Sequence, residues 1–298
     1  MKVIPGPSSP QLGSRIAEKL GVEAHPVDHR LFPDGESYIR ITTQVEGEVA
    51  VVIQTTFPET DRSLLQLFLM VDAVRDLGAG EIVCIVPYLA YARQDKRFLD
   101  GEVVSLDTVT SLLEAAGVDE LVVIDVHNEK SLETILEGGD MKTVNLSAIP
   151  LLAKYLKAKG FEGAYSLSPD QGAVNLAEAA AEVLGGGSGF FEKKRDRRTG
   201  EIEMLVKGIN LEGRDAVVFD DIVSSGGTTA RAVRGLKEQG ASRVAAACTH
   251  GLFMGDAENR IREAGADIIL STDTVQSPLS HVTVAGPLVD YLRTRSSP

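Results

Sequence analysis

Cysteine is scarce in this sequence, and long apolar runs are missing. The only two cysteines among 298 residues, Cys84 and Cys248, lie inside EIVCIV and RVAAAC. Both stretches read as buried strands, so neither cysteine is assigned a metal, disulfide or catalytic role. No run approaches the roughly 20 apolar residues that cross a bilayer. The opening residues, MKVIPGPSSP, lack a signal-peptide core, so a soluble cytoplasmic protein with no membrane partner is expected. Positive charge is also short: 30 Lys and Arg face 43 Asp and Glu, a formal charge of −13. Sequence-independent nucleic-acid binding needs phosphates neutralised by Lys and Arg, so no nucleic-acid partner is expected. An anionic ligand must be met by local basic residues or by a metal. There is no low-complexity tail, and the last residues, YLRTRSSP, are expected to fray.

What the chain does contain is alternation. Short β-rich runs (VAVVIQ, EIVCIVPY, ELVVIDVH, AVVFDDI, RVAAACTH) are interleaved with helical periodicity in SLLQLFLMVDAVRDLG and SLDTVTSLLEAAG. That pattern implies an α/β protein with parallel sheets flanked by helices. The length suits one large or two medium domains, and two compact cores are the better expectation. Gly78, Gly117, Gly160 and Gly240 stand where helices should end in a left-handed cap. Two comparisons suggest an internal duplication. GVDELVVIDVH and GFEGAYSLSPD place His127 and Asp170 at the same offset from Gly117 and Gly160, as if they projected from equivalent strand ends towards one cleft. VVIQTTFPETDRSLLQL and VVFDDIVSSGGTTARAV each read strand, polar turn, helix. The glycine-dense GGGSG, followed by the basic FFEKKRDRRTG, reads as a flexible loop and hairpin.

The densest chemistry lies in VVFDDIVSSGGTTARAV, residues 217–233. An apolar strand ends in Asp220 and Asp221, then a loop of small and hydroxyl residues (Ser224, Ser225, Gly226, Gly227, Thr228, Thr229) leads into a helix. Amides at a helix start attract anions, and glycines let backbone approach a ligand closely. A merely well-capped turn would explain the hydroxyls but not two carboxylates leading into it. The ATP-loop pattern GxxxxGK[ST] and the GxGxxG fingerprint are both absent. Acid beside an anion cradle suits a ligand with both a phosphate and vicinal hydroxyls, a pentose phosphate.

This segment resembles the phosphoribosyl-diphosphate-binding motif of phosphoribosyltransferases and of phosphoribosyl pyrophosphate synthetases. Four more segments, RLFPDGESYIRI, PYLAYARQDKRF, VVIDVHNEKS and YSLSPDQGA, occur in the synthetase order and cover nearly the whole chain. The chain therefore resembles the synthetase (ribose-phosphate diphosphokinase) family. The resemblance implies two similar domains of the phosphoribosyltransferase type: residues 1–143, completed by 284–298, and residues 144–283, carrying the ribose-5-phosphate loop. It implies a transferase that makes 5-phosphoribosyl 1-diphosphate and AMP from ribose 5-phosphate and ATP.

By the same resemblance, residues 224–229 with Asp220 and Asp221 bind ribose 5-phosphate, and Arg93, Gln94 and Asp95 lie in the ATP site. Phe32, Asp34 and Glu36 reach a neighbouring subunit's ATP site. A homodimer is then required, and assembly of dimers into a hexamer stays open. His127 and Asp170 become Mg²⁺ ligands or outer-shell partners, Mg²⁺ being the expected cofactor, with Asp125 behind His127. Lys193 and Arg195 best match the catalytic pair of a mobile loop, with Lys194 as the rival register. Departures are a single glycine after Asp170 where the family usually has a pair, Asn175 and Leu176 where a basic residue is common, and the unusual GGGSG. Two other readings are a transferase that consumes the same diphosphate and a catalytically silent regulatory homologue.

Overall fold

A computed structural model describes residues 1–195, 202–205 and 210–295. The chain divides into two compact units: Met1–Leu146 joined by the stretch from Thr283 onward, and Ser147–Val282.

In the first unit the elements are β1 (Lys2–Pro5), α1 (Pro10–Leu20), β2 (Asp28–Leu31), β3 (Ser37–Arg40), β4 (Val49–Ile53), α2 (Thr60–Asp76), β5 (Glu81–Val86), α3 (Ser105–Ala116), β6 (Glu120–Ile124), α4 (Glu129–Ile135) and β7 (Lys142–Leu146). Five strands form a parallel sheet in the order β1-β4-β5-β6-β7, and β2 and β3 form a separate antiparallel hairpin. Alternate strand residues Val52, Cys84 and Leu121 pack under Leu67 and Met70 of α2 and Leu106 and Leu113 of α3. The intervening residues Val51, Val83 and Val122 are also buried. Burial on both faces is why these strands read as continuous apolar runs rather than as alternation.

The second unit contains α5 (Ile149–Leu156), β8 (Tyr165–Ser168), α6 (Val174–Leu184), β9 (Gly187–Phe190), the β10 (Glu192–Arg195) and β11 (Ile202–Leu205) hairpin, β12 (Ala216–Val223), α7 (Gly227–Glu238), β13 (Val244–Gly251), α8 (Ala257–Glu263), β14 (Ile268–Thr272) and β15 (Ser280–Val282). Its parallel sheet has the order β15-β14-β13-β12-β8-β9. Along β12, Ala216 and Val218 enter a core with Val233 and Leu236 of α7, while Val217 and Phe219 face Leu152, Leu156 and Leu184. Helix α9 (Ala285–Arg295) returns to the first unit and packs on α1. All four helix-ending glycines named above have positive φ. Among the described residues, no helix is long and apolar enough to cross a membrane.

Three expectations change. The offset that paired His127 with Asp170 does not reflect equivalent strands. Matching β4-α2-β5 with β12-α7-β13, as strand order allows, sets β6 against β14 and β8 against β1. Equal spacing from a capping glycine is what any short strand produces, so the ruler measured strand length rather than ancestry. The second comparison, β4-α2-β5 against β12-α7-β13, agrees with the topology.

Residues 187–190 are not a loop but the edge strand β9, paired with β8. A Cβ at Gly186 would lie 2.0 Å from the Ala164 carbonyl oxygen, and one at Gly187 would lie 2.5 Å from the Tyr165 ring. Close approach, not flexibility, requires glycine there.

Residues 291–295 do not fray. The Tyr291 hydroxyl donates to Glu120 at 2.5 Å, and Arg295 forms ion pairs with Glu81 and Glu120. Glu120 is buried, so the C-terminal helix supplies its counter-charge.

Candidate functional site

Chain order reverses between β8 and β12, which are neighbours in the sheet although β9 follows β8 on its other side. Ligands of open α/β sheets bind beyond the carboxyl ends of strands at such a switch point. The register sharpens this. β8 pairs with β12 only from Ala216 to Val218, whereas β13 accompanies β12 to Val223. Residues 220–223 therefore project past the end of β8, and Asp170, two residues after β8, is near enough for its charge to act on Asp220. Asp170 accepts from the Gly172 amide at 3.0 Å through Oδ1.

The residues that follow β12 lead directly into the start of α7. Gly226 takes the N-cap position of α7 with φ 73°, and no side chain caps the helix. The start of α7 is thus not the side-chain-capped turn that the hydroxyls alone would suggest, and helix dipole and N–H groups there favour an anion. Of the loop hydroxyls, Ser224 donates to Met254 Sδ at 3.6 Å and Thr228 accepts from Arg231 at 3.3 Å. Ser225 is exposed, Ser224, Gly227 and Thr228 are half-buried, and Thr229 is buried.

Asp220 and Asp221 form a strained electrostatic pair. The Asp221 amide donates to Asp220 Oδ1 at 3.0 Å, and the Ile222 amide donates to Asp221 Oδ1 at 2.8 Å. Withdrawal of the Asp220 carboxyl from water, then the charge of Asp221 and, more weakly, of Asp170, raise its pKa well above the ordinary carboxylate range. Strongly perturbed acids of this kind cluster at functional sites. Hydroxyl donors of a sugar, or a cation, would relieve this one.

The sequence-derived residues of the first unit fall into two groups. The FPDGE segment is the turn of the β2–β3 hairpin: Phe32 and Glu36 close it through a 2.8 Å backbone bond, Gly35 has φ 94°, and the Glu36 amide donates to Asp34 at 3.1 Å. Leu31 and Phe32 are 46% and 41% exposed at the tip. The Phe32 ring meets Tyr38 edge-on at 6.2 Å and has the Arg30 guanidinium 5.7 Å from its centroid.

The second group is the loop after β5. Arg93 is exposed, while Gln94 accepts from Ser105 at 3.3 Å. Asp95 accepts from Asn128 Nδ2 at 2.5 Å and Ser131 Oγ at 2.8 Å. Burial alone would raise the pKa of Asp95, but the hydrogen bonds from Ser131 and Asn128 outweigh it and hold the carboxylate ionised. Asn128 also caps α4 through Ser131 N. The loop is thus tied to the residue next to His127, which is exposed, whereas Asp125 is buried with φ 37°. Sequence reasoning missed Asn128 and Ser131. The Asn-x-x-Ser spacing at a helix start was the available signal.

Lys193 and Arg195 stand on β10, opposite Met204 and Ile202 of β11. Strand alternation puts positions 193 and 195 on one face of this ribbon and position 194 on the other. Their side chains, and residues 196–201, lie outside the described part. Among the described residues, no group of three or more His, Cys, Asp or Glu is gathered closely enough to hold a metal.

The site can be set beside known proteins. Residues 1–117 match the model for the N-terminal domain of ribose phosphate pyrophosphokinase, and residues 153–281 match that for the phosphoribosyl transferase domain. The ribose-phosphate pyrophosphokinase of Methanopyrus kandleri is 39% identical over 96% of this chain and 96% of its own. That of Saccharolobus solfataricus is 38% identical over 92% of this chain and 93% of its own. The crystal structure of phosphoribosylpyrophosphate synthetase from Mycobacterium smegmatis superposes with a TM-score of 0.87 at 30% identity, covering 99% of this chain and 98% of that one. With the acid pair and uncapped cradle at the switch point of a phosphoribosyltransferase-type unit, these full-length similarities establish that the chain belongs to the ribose-phosphate pyrophosphokinase family.

Proposed function

We propose that this chain transfers the diphosphoryl group of ATP to the anomeric hydroxyl of ribose 5-phosphate, yielding 5-phosphoribosyl 1-diphosphate and AMP. The observation that carries the reading is the uncapped start of α7 directly after the Asp220–Asp221 pair. A sugar phosphate uses both halves of that arrangement: its phosphate takes the amides of residues 225–229, and its 2- and 3-hydroxyls donate to the carboxylates. Holding both ends of the sugar aims the anomeric oxygen at the β-phosphorus of ATP, and positioning of this kind supplies a large part of the acceleration. AMP leaves as the bond between its α-phosphate and the β-phosphorus breaks.

Arg93 and Gln94 would bind the nucleotide, and Asp95 would act largely by holding their loop against Asn128. Phe32, exposed on its hairpin, suits stacking on an adenine across a subunit boundary, with Asp34 and Glu36 beside it. This makes a homodimer the working unit, and assembly of dimers into a hexamer is compatible with it. Lys193 and Arg195 would neutralise charge that builds on the nonbridging oxygens during transfer.

Mg²⁺ fits this donor set. Hard cations take oxygen ligands and retain water, so an ion carried in on phosphates needs few protein ligands. In the second unit Asp170 would offer a carboxylate oxygen to such an ion, and in the first unit the His127 imidazole would offer a hydrogen bond to coordinated water. When bound, the ion supplies charge neutralisation of the transferring diphosphate. A soluble enzyme of the cytoplasm is consistent with the acidic composition.

A transferase consuming the same diphosphate would need neither the FPDGE hairpin nor the RQDKR loop. Incubating pure protein with Mg-ATP and ribose 5-phosphate, and following products by phosphorus NMR, decides the matter. AMP and the sugar diphosphate should appear together; their absence across metal and phosphate conditions would overturn the reading.

A further inference from the structure

The cradle has a backing that none of the sequence motifs includes. Three successive carbonyls of the loop are turned away from the ligand side and bonded to residues 252–260, which connect β13 to α8 and form its start. Val223 O accepts from the amides of Leu252 at 3.0 Å and Phe253 at 3.1 Å, and Ser224 O accepts from Met254 N at 3.0 Å. Ser225 O accepts from the Arg260 guanidinium. A carbonyl oxygen facing the cradle would repel a phosphate, so fixing these three outward is what leaves the amide edge inward.

The backing is itself held in an unusual shape. Phe253 has φ 40°, a conformation rare for a non-glycine residue, and it is this turn that lets two consecutive amides reach one oxygen. Its ring lies over Gly251, where a Cβ would come within 2.3 Å of it. Ala257 closes the other side, its carbonyl oxygen 2.9 Å from where a Gly226 Cβ would stand. Backbone amides supply the bonds to Val223 O and Ser224 O. Arg260 is the single side chain from this segment that holds a loop carbonyl.

We propose that Arg260 is a positioning residue for ribose 5-phosphate: by holding Ser225 O outward it sets the amide edge of the cradle, so that its loss weakens sugar-phosphate binding and leaves the chemistry intact. The proposal rests on the reading of the cradle as the ribose-5-phosphate site. Arg262, on the same helix, makes a useful contrast. Its guanidinium is paired with Glu258 at 2.8 and 2.9 Å and does not take part in the loop contacts, so removing it deletes the same charge without touching the cradle.

The experiment compares wild type, Arg260→Ala, Arg260→Lys and Arg262→Ala, using ribose 5-phosphate binding by calorimetry and steady-state kinetics in both substrates. Arg260→Ala should raise Kd and KM for ribose 5-phosphate about tenfold, the worth of one charge-assisted hydrogen bond. Its kcat and its KM for ATP should be unchanged, and its melting temperature should fall only by the small amount that one exposed hydrogen bond contributes. Arg260→Lys, which keeps one donor, should fall between, added guanidinium should restore part of the Arg260→Ala loss, and Arg262→Ala should match wild type.

Equal losses in Arg260→Ala and Arg262→Ala would mean that net charge, not the Ser225 contact, is responsible, and would overturn the proposal. An unchanged Kd, or kcat and ATP KM shifting together with stability, would overturn it as well. A wild type that binds ribose 5-phosphate but makes no AMP would sink the proposed reaction and leave this inference standing. A wild type that binds none would sink both.

Discussion

Adjacent glycines of the cradle should respond to the same substitution in opposite ways. Gly226 has φ 73°, and a methyl there would lie 2.9 Å from the Ala257 carbonyl oxygen and 3.2 Å from Ala257 Cα. A left-handed conformation costs a non-glycine residue about 1–2 kcal/mol, and forcing a methyl against packed backbone adds about 1–3. Gly226→Ala should therefore destabilise by about 2–5 kcal/mol. Gly227, one residue on, opens α7, and its Cβ would meet nothing nearer than Arg231 Nη1 at 3.7 Å. Alanine here should leave stability level or raise it by about 0.4–1 kcal/mol through reduced chain entropy. On the proposed reading the same methyl enters the space of the bound phosphate, and an overlap costing about 1.4–2.8 kcal/mol weakens binding roughly 10- to 100-fold. Denaturant melts and calorimetric titration with ribose 5-phosphate read the two quantities separately. If Gly227→Ala unfolds as readily as Gly226→Ala, or binds ribose 5-phosphate like wild type, the geometry of the cradle has been misassigned.

Three further outcomes are expected. Because burial and the Asp221 charge raise the pKa of Asp220 in the fold, the folded state holds more protons than the unfolded one, and ligand-free stability falls as pH rises above the ordinary carboxylate range. Asp221→Asn should then stabilise the ligand-free protein by about 1 kcal/mol at pH 7, a gain that fades towards pH 4, while activity is lost; thermal melts across pH check the sign, and a gain that grows on acidification would refute it. Arg295→Ala leaves Glu120 buried without its counter-charge and should cost about 3–5 kcal/mol, whereas Arg295→Ala with Glu120→Gln should recover most of that; equal stability of the two variants would place the energy elsewhere. Lys193→Ala should lower kcat by orders of magnitude with ribose 5-phosphate affinity little changed, and a parallel loss of binding in titration would give Lys193 a different role.

The acid pair, the hydroxyl-rich loop and the capping glycines were legible in the sequence because each depends on neighbours within a few residues. The apolar run into Asp220 marks a strand and Gly226 marks the start of a helix, but β12 runs on through the acid pair to Val223, because β13 continues beside it. Buried parallel strands were legible too, since both faces of β12 demand apolar residues. Other features depend on residues far apart along the chain. GGGSG carries the composition of a flexible linker, and only the approach of Ala164 and Tyr165 makes its glycines an edge strand. YLRTRSSP has the composition of a loose end, and its helical part is ordered by distant partners, buried Glu120, 171 residues from Tyr291, and Glu81.

Local spacing misled at His127 and Asp170, where equal offsets from glycine could not reveal that the two strands occupy different places in their sheets. The same limit hid Arg260. Its neighbours mark it as one more cation on a short surface helix, and its link to Ser225, 35 residues earlier, exists only once β12 and β13 lie side by side. Sequence determined which chemical groups the site contains, because chain-local chemistry chose them. Tertiary structure decided which way the cradle's carbonyls and amides face, because that orientation is set by hydrogen bonds between segments that the chain alone does not bring together.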